Sequence, residues 1–435
     1  IGLGRRRGAG QDLFCSNMAP SLYRVLLIVG LCVATCCVPP SSSPGGGCPH
    51  SSSVKNSLAS QVTSGNTNFA FRLYRRLAVQ TPGRNVIFSP VSVSTSLAML
   101  SLGARSATKT QVLQSLGFNL SLISESAIHQ AFQHLIHSLN VSSSNLGLKM
   151  GSVLFLREEL QLQASFVASV RRLYKSNVFS IDFSDTATAQ QRINSYVKKE
   201  TKGKVVDMIH SLDPLTTMVL VNHIFFKAKW TKPFNPTVTN MSFPFLVGDK
   251  VPIHVPMMHQ LETFGFGMDP ELNCSVLQMH YKGEAMALLI LPAKGKMKQL
   301  ELALSASWLR KWSRSLQERW IEVFIPKVSI SASYDLETIL PKMGIHNAFD
   351  KNADFSGITK RHSLHVSKAA HKAVLDISEE GTEAVAATVA KFTVRSKDGS
   401  SHHVLYLDRP FLFLVINKAI DAILFLGKVE NPTQA

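Results

Sequence analysis

Cysteine is scarce where it could staple a fold. The chain has six, and four of them, Cys15, Cys32, Cys36 and Cys37, lie near the start. Cys48 and Cys274 remain, too few for a disulfide framework. A bridge between them would tie a tail to the body, so an unbridged fold held by a large core is expected. Acids are scarce too: 29 Asp and Glu against 46 Lys and Arg give a net charge of +17. Catalytic signatures are missing. The sequence has no Gly-x-Ser-x-Gly elbow, no His-Glu-x-x-His, no P-loop and no Cys-x-x-Cys pair. His402 and His403 stand in a polar loop with no acidic or cysteine neighbour. No enzyme, no metal site and no cofactor are therefore expected. Internal repeats are absent, and no Pro/Gly/Ser-rich linker follows residue 64.

What is present is the composition of a globular protein, 45% hydrophobic and 17% charged. Met18 and Arg24 precede a ten-residue apolar run, Val25 to Ala34. That is half of the roughly 20 residues a membrane-spanning helix needs. It reads as a secretory signal over residues 18–38, with residues 1–17 an upstream extension. Residues 39–63, with "PPSSSPGGGCPHSSS", read as a disordered tail. The sequons at Asn119, Asn140 and Asn240 fit a secreted glycoprotein, with a fourth at Asn273 placed before a strand. Removing the leader takes four Arg and one Asp and leaves about +14 on the body. Such an excess favours anionic partners.

Phe69, Leu73 and Leu77 recur at helical spacing. Ser89-Pro90 caps and starts a helix running to Gly103, whose Ser, Thr and Ala content demands close packing. Helices are also expected over 108–116, 126–139, 187–200 and 296–316. "TMVLVNHIFFKAKW", Thr217 to Trp230, is too continuously apolar for a half-exposed strand and reads as a central one. Consecutive strands dominate the second half and helices the first. The fold class expected is α+β with antiparallel or mixed sheets.

The stretch "EEGTEAVAATVAKFTVRSK", Glu379 to Lys397, fits neither element well. Read with period two, one phase is Thr382, Ala384, Ala386, Thr388 and Ala390, all small and uncharged. The other phase holds Glu383, Val385, Ala387, Val389 and Lys391. Such a segment could enter a sheet with one face tightly buried. Arg395-Ser396 follows, in a run that turns polar. An exposed arginine in an extended loop suits a protease whose primary pocket carries a carboxylate.

"SEEGTEAVAA" resembles the reactive-loop hinge of the serpins. "NVIFSPVSVSTSLAMLSLGA", "INSYVKKETKGKVVDMI", "VNHIFFKAKWTKPF", "HKAVLDISEEGTEA", "DRPFLFLVI" and "FLGKVENP" resemble further serpin signatures in order, over about residues 64 to 433. The resemblance is to the antitrypsin-like clade. It implies one domain over 64–435, with three β-sheets, about nine helices and an exposed reactive loop at about 379–403. It implies a suicide inhibitor, cleaved at Arg395-Ser396, fourteen positions after Gly381. The hinge would be Glu379, Glu380, Gly381, Thr382, Glu383, Ala384, Ala386 and Ala387. Ser89, Ser92, Asn222 and His371 match the polar cluster beneath the sheet that must part, and Trp230 the aromatic where the loop enters.

The partners this implies are trypsin-like serine proteases in covalent complex, with the chain a secreted monomer. Nucleic acid and membrane are not expected. Heparin or another polyanion is a further candidate. "AIHQAFQHLIHSLN" lacks Lys and Arg, so the basic residues to consider are Lys296, Lys298, Arg310, Lys311 and Arg314. Arg310 and Arg314, at i and i+4, could share a face with Lys311. The competing function is a non-inhibitory carrier of small molecules such as hormones, disfavoured by the small residues of the hinge.

Overall fold

The apolar run Met218–Phe226 is buried at all nine positions, as a strand covered on both faces must be. A computed structural model of the chain describes residues 50–248, 251–360, 363–381 and 402–434. In chain order the elements are α1 (His50–Gln80), β1 (Val86–Phe88), α2 (Pro90–Ser101), α3 (Ser106–Ser115), α4 (Glu125–Leu146) and β2 (Lys149–Arg157). There follow α5 (Ala164–Tyr174), β3 (Asn177–Ile181), α6 (Thr186–Glu200), β4 (Met218–Phe226), β5 (Asn240–Val247) and β6 (Val251–Asp269). Then come β7 (Cys274–His280), β8 (Ala285–Pro292), α7 (Met297–Ala303), α8 (Ala306–Ser315), β9 (Gln317–Pro326) and β10 (Val328–Asp335). The last are β11 (Lys368–Ile377), β12 (His403–Tyr406), β13 (Phe411–Asn417) and β14 (Ala422–Val429).

The α+β expectation holds. β4 lies at the centre of a five-stranded sheet ordered β10-β11-β4-β2-β3. Its neighbour β2 is antiparallel, and its neighbour β11 is parallel. The other strands form one sheet, β1-β14-β13-β8-β7-β6-β9-β12, with β5 paired to β6. Two sheets rather than three are therefore resolved among the described residues. The reason is β6, whose 19 residues pair in turn with β5, β9 and β7 and fuse what would be separate sheets. The described α-helices number eight.

Helix α2 explains how a Ser-rich helix can be buried at every position. Ser94 and Thr95 donate to the Val91 carbonyl, Ser96 to that of Val93 and Ser101 to that of Ala98. These four hydroxyls are satisfied within the helix and that of Ser92 by the β4 residues Asn222 and His223, so no hydroxyl of α2 is left bare. Ser89 caps it by accepting from Ser92 N at 3.2 Å. On the opposite face of the central sheet, Ala189, Ile193 and Val197 of α6 pack on Val153, Phe155, Val219, Val221 and Ala370.

Two further expectations are corrected. Residues 50–63, assigned to a disordered tail, are helical: α1 spans His50–Gln80 and does not begin near Asn66. The 296–316 helix is two, broken at Leu304-Ser305. Helix α5 was not foreseen, although Phe166, Val170 and Leu173 mark its buried stripe. Cys274 is a buried free thiol, and burial pushes its pKa up to about 12. Among the described residues no helix is long and apolar enough to cross a membrane.

Candidate functional site

The site is a seam with a latch at its end. β11 and β4 pair in parallel from Lys368↔Val219 to Leu375↔Phe226. Past Ile377 the chain makes a tight turn. Ser378 N donates to Gly381 O at 2.7 Å, and Gly381 N donates back to Ser378 O at 3.1 Å. The segment after β4 grips this turn. Trp230 N donates to Glu380 O at 2.7 Å, Phe234 N to Glu379 O at 2.8 Å, and the Trp230 indole N–H to Ser378 O at 3.0 Å. The indole is buried and stacks on Tyr281 with centroids 4.1 Å apart. Gly381 adopts φ +129°, and a Cβ there would lie 2.1 Å from the Ala228 carbonyl oxygen. Only glycine fits so close to a neighbouring backbone.

Two carboxylates fasten the turn. Glu379 accepts from Thr239 Oγ1 at 3.0 Å and pairs with Lys327 at 3.0 Å. Glu380 pairs with Lys229 at 3.6 Å. Burial pushes the Glu379 carboxyl up, but its hydrogen bonds to backbone, Lys327 and Thr239 outweigh that and hold it below the usual range.

Halfway along the seam lies the polar cluster. Ser89 N donates to His371 Nε2 at 3.0 Å. Nε2 is thus the acceptor, and Nδ1 carries the proton donated to Asn222 Oδ1. The Asn222 amide nitrogen donates to Ser92 O at 2.9 Å, Ser92 Oγ at 2.6 Å and Ser152 Oγ at 3.2 Å. Tyr334 lies parallel to the imidazole, and its hydroxyl accepts from Ile87 N. His371 is fully buried; desolvation, with a smaller contribution from His223, lowers its pKa to about 3. It is a neutral hydrogen-bonding hub. Ser89, Ser92, Asn222 and His371 are therefore brought together, and Trp230, Glu379, Glu380 and Gly381 meet at the end of the seam. Ser152, Tyr334, Thr239, Lys229 and Lys327 were not anticipated. Lys229 and Thr239 lay next to residues singled out, Trp230 and Asn240.

Thr382, Glu383, Ala384, Ala386, Ala387, Arg395 and Ser396 lie outside the described residues. Asn119 and Asn240 are exposed, each accepting from the backbone of its sequon serine, and Asn140 is exposed on α4. Asn273 also lies exposed, in the β6–β7 turn at φ +49°. Lys296, Lys298, Arg310 and Arg314 are exposed. Lys311 is exposed as well, but its ammonium is already engaged. It pairs with Glu271 at 2.6 Å and Asp269 at 3.4 Å and stands over the Trp308 ring. Arg310 and Arg314 instead border a cleft of about 690 Å³ with Val62, Leu309, Lys418 and Ile420.

Comparison with known proteins gives this geometry a lineage. Residues 64–432 match the family model described as Serpin (serine protease inhibitor). Human Serpin A9 is 68% identical over 96% of this chain and 100% of its own length. The mouse protein is 62% identical over 95% and 98%. The resemblance of "NHIFFKAKW", "WIEVFIPK" and "FTVRSKDG" to centerin, which is Serpin A9, agrees with this. The crystal structure of human thyroxine-binding globulin complexed with thyroxine superposes with a TM-score of 0.83 at 48% identity. It covers 86% of this chain and 100% of that one.

Proposed function

The chain belongs to the serpin family, and from that premise we propose that it is a secreted suicide inhibitor of trypsin-like serine proteases, cleaved at Arg395-Ser396. One observation carries the reading. A fully zipped parallel seam ends in a latched turn, and that turn leads directly into a segment whose one phase is entirely small. A segment folding back from the end of β11 would run antiparallel to both β11 and β4. Between them it exchanges one parallel pairing for two antiparallel ones, the more stable kind per residue. The fourteen residues from Thr382 to Arg395 would then extend about 45 Å.

In this mechanism Arg395 fills the carboxylate-bearing pocket of the protease, whose serine attacks the Arg395 carbonyl. The Ser396 side leaves, and the acyl-enzyme ester remains on Arg395. Insertion carries the tethered protease along the sheet and distorts its triad before water reaches the ester. Ser89, Ser92, Asn222 and His371 control the parting of the strands, and Trp230 holds the entry point. None of them is catalytic. Incubation with trypsin followed by denaturing electrophoresis tests the proposal. A covalent complex lost in Arg395→Ala supports it. A cleaved chain beside fully active trypsin refutes it.

Two further readings rest on specific observations. The exposed Lys296, Lys298, Arg310 and Arg314 support heparin or polyanion binding on α7 and α8. The cleft beside Arg310, with the likeness to thyroxine-binding globulin, supports carriage of a small apolar molecule as the alternative function. Labelled thyroxine retained through gel filtration, without any covalent trypsin complex, would favour that alternative.

A further inference from the structure

β12, the strand into which the chain returns after Arg395-Ser396, borders an exposed aromatic face. β9 alternates fully buried Ile321, Val323 and Ile325 with Trp320, Glu322 and Phe324 on its other side. β12 pairs with β9 so that Val404 stands beside Glu322 and Tyr406 beside Phe324. From β6, His259 stands beside Phe324 and Thr263 beside Trp320. Residues paired in register share a face. On that face Trp320 is 42% exposed, Val404 45% and Tyr406 40%. Large apolar side chains gathered in one patch, rather than scattered singly, mark an interaction surface.

The patch is held in place from below. Tyr406 stacks on Phe324 with centroids 4.3 Å apart and on Phe243 at 5.7 Å, and His259 stacks on Phe324 at 4.5 Å. Glu322 fixes the imidazoles on either side. Its Oε1 accepts from His259 Nε2 at 2.8 Å and its Oε2 from His402 Nε2 at 3.1 Å. Rings already fixed lose little side-chain entropy when a partner covers them.

The path of the chain says what that partner is. β12 starts at His403, seven positions after Ser396. The scissile bond is therefore tethered within about 24 Å of this strand. The tether on the other side, from Gly381 to Arg395, is about twice as long. A protease domain of about 200 residues is about 40 Å across. It is wider than the gap it is held across, so the sheet at β12 is the surface it meets.

We infer that Trp320, Val404 and Tyr406 form a docking surface for the body of the trypsin-like protease held on the loop. The inference rests on the proposed cleavage at Arg395-Ser396. Arg395 selects proteases with a carboxylate in the primary pocket, and contacts on this face discriminate among them. Trp320 and Tyr406 are the residue types that carry most of the energy in such patches. Glu322 with its two imidazoles supplies the polar border.

The test uses the full chain and trypsin whose catalytic serine is replaced by alanine, which docks without cleaving. Dissociation constants are measured by surface plasmon resonance. Trp320→Ala should weaken binding about tenfold or more. Val404→Ala, which leaves the aromatic stack intact, should weaken it about fivefold. Leu122→Ser, at an apolar residue 80% exposed elsewhere on the surface, should leave it unchanged. Wild-type affinity in folded Trp320→Ala and Val404→Ala overturns the inference alone. No binding of the wild type to the inactive trypsin overturns the cleavage reading and this inference with it, while covalent capture of active trypsin tests that reading by itself.

Discussion

His371 and Asn222 face each other in register across a parallel strand pair, joined by the bond from Nδ1 to Oδ1. That bond spans the line along which the sheet would part. The ring is anchored behind by Ser89 N and the amide by Ser92 and Ser152. Opening the seam must separate the two residues while each still needs a partner.

Asn222→Ala removes the amide N–H bonds to Ser92 and Ser152 and strands the His371 proton. Leaving a buried polar group unpaired costs about 1–3 kcal/mol. Denaturant unfolding should show a lower midpoint with little change in slope. His371→Ala should fall in the same range, and the double variant should lose less than the sum, because the two losses share one bond.

Gly381→Ala forces a Cβ to within 2.1 Å of the Ala228 carbonyl at φ +129°. The turn has to leave its grip on Trp230. Backbone strain of this kind is about 1–3 kcal/mol. Hydrogen exchange of the Trp230 and Phe234 amides, which bond Glu380 and Glu379, should speed up while amides of β13 and β14 stay protected. Unchanged exchange at Trp230 would sink the idea of a latch.

Glu379→Gln cancels the ion pair with half-exposed Lys327 and weakens the acceptor for Thr239. The expected loss is about 1–3 kcal/mol. Because the carboxyl is held below its usual range, its stabilisation is present at neutral pH and lost as pH falls through and below the usual value near 4.5. Unfolding curves of wild type and variant at pH 7 and pH 3.5 check this. The gap should narrow at the lower pH.

Heparin retention, if it resides on α8, depends on Arg310 and Arg314 and not on Lys311, whose ammonium is already matched by Glu271 and Asp269. Arg310→Ala with Arg314→Ala should lower the salt needed for elution, and Lys311→Ala should leave it unchanged. An elution shift confined to Lys311→Ala would contradict this assignment.

Much was legible before any coordinates. The unbroken apolar run of β4 could only be a strand covered on both faces, and Ser89-Pro90 is where α2 begins. The clustering of Ser89, Ser92, Asn222 and His371 was legible only through family resemblance, because they come from three separate parts of the chain. The fusion of sheets through β6 was hidden. Nothing in a run of alternating residues says that one strand will change partners twice along its length. Lys311 misled for a related reason. Helical spacing places it near Arg310 and Arg314, but its acidic partners arrive from the end of β6 and the turn after it.

The sequence by itself determined the fully covered strand β4, the start of α2, the small-residue phase after Gly381 and the arginine that ends it. Those follow from local periodicity and side-chain volume. Only the tertiary structure decided that Gly381 is clamped against Ala228, that Glu379 meets Lys327 and that His223 lies buried against Gly151. Each of these depends on distant backbones brought within van der Waals reach, and burial there sets both the charge state of a histidine and the need for a glycine.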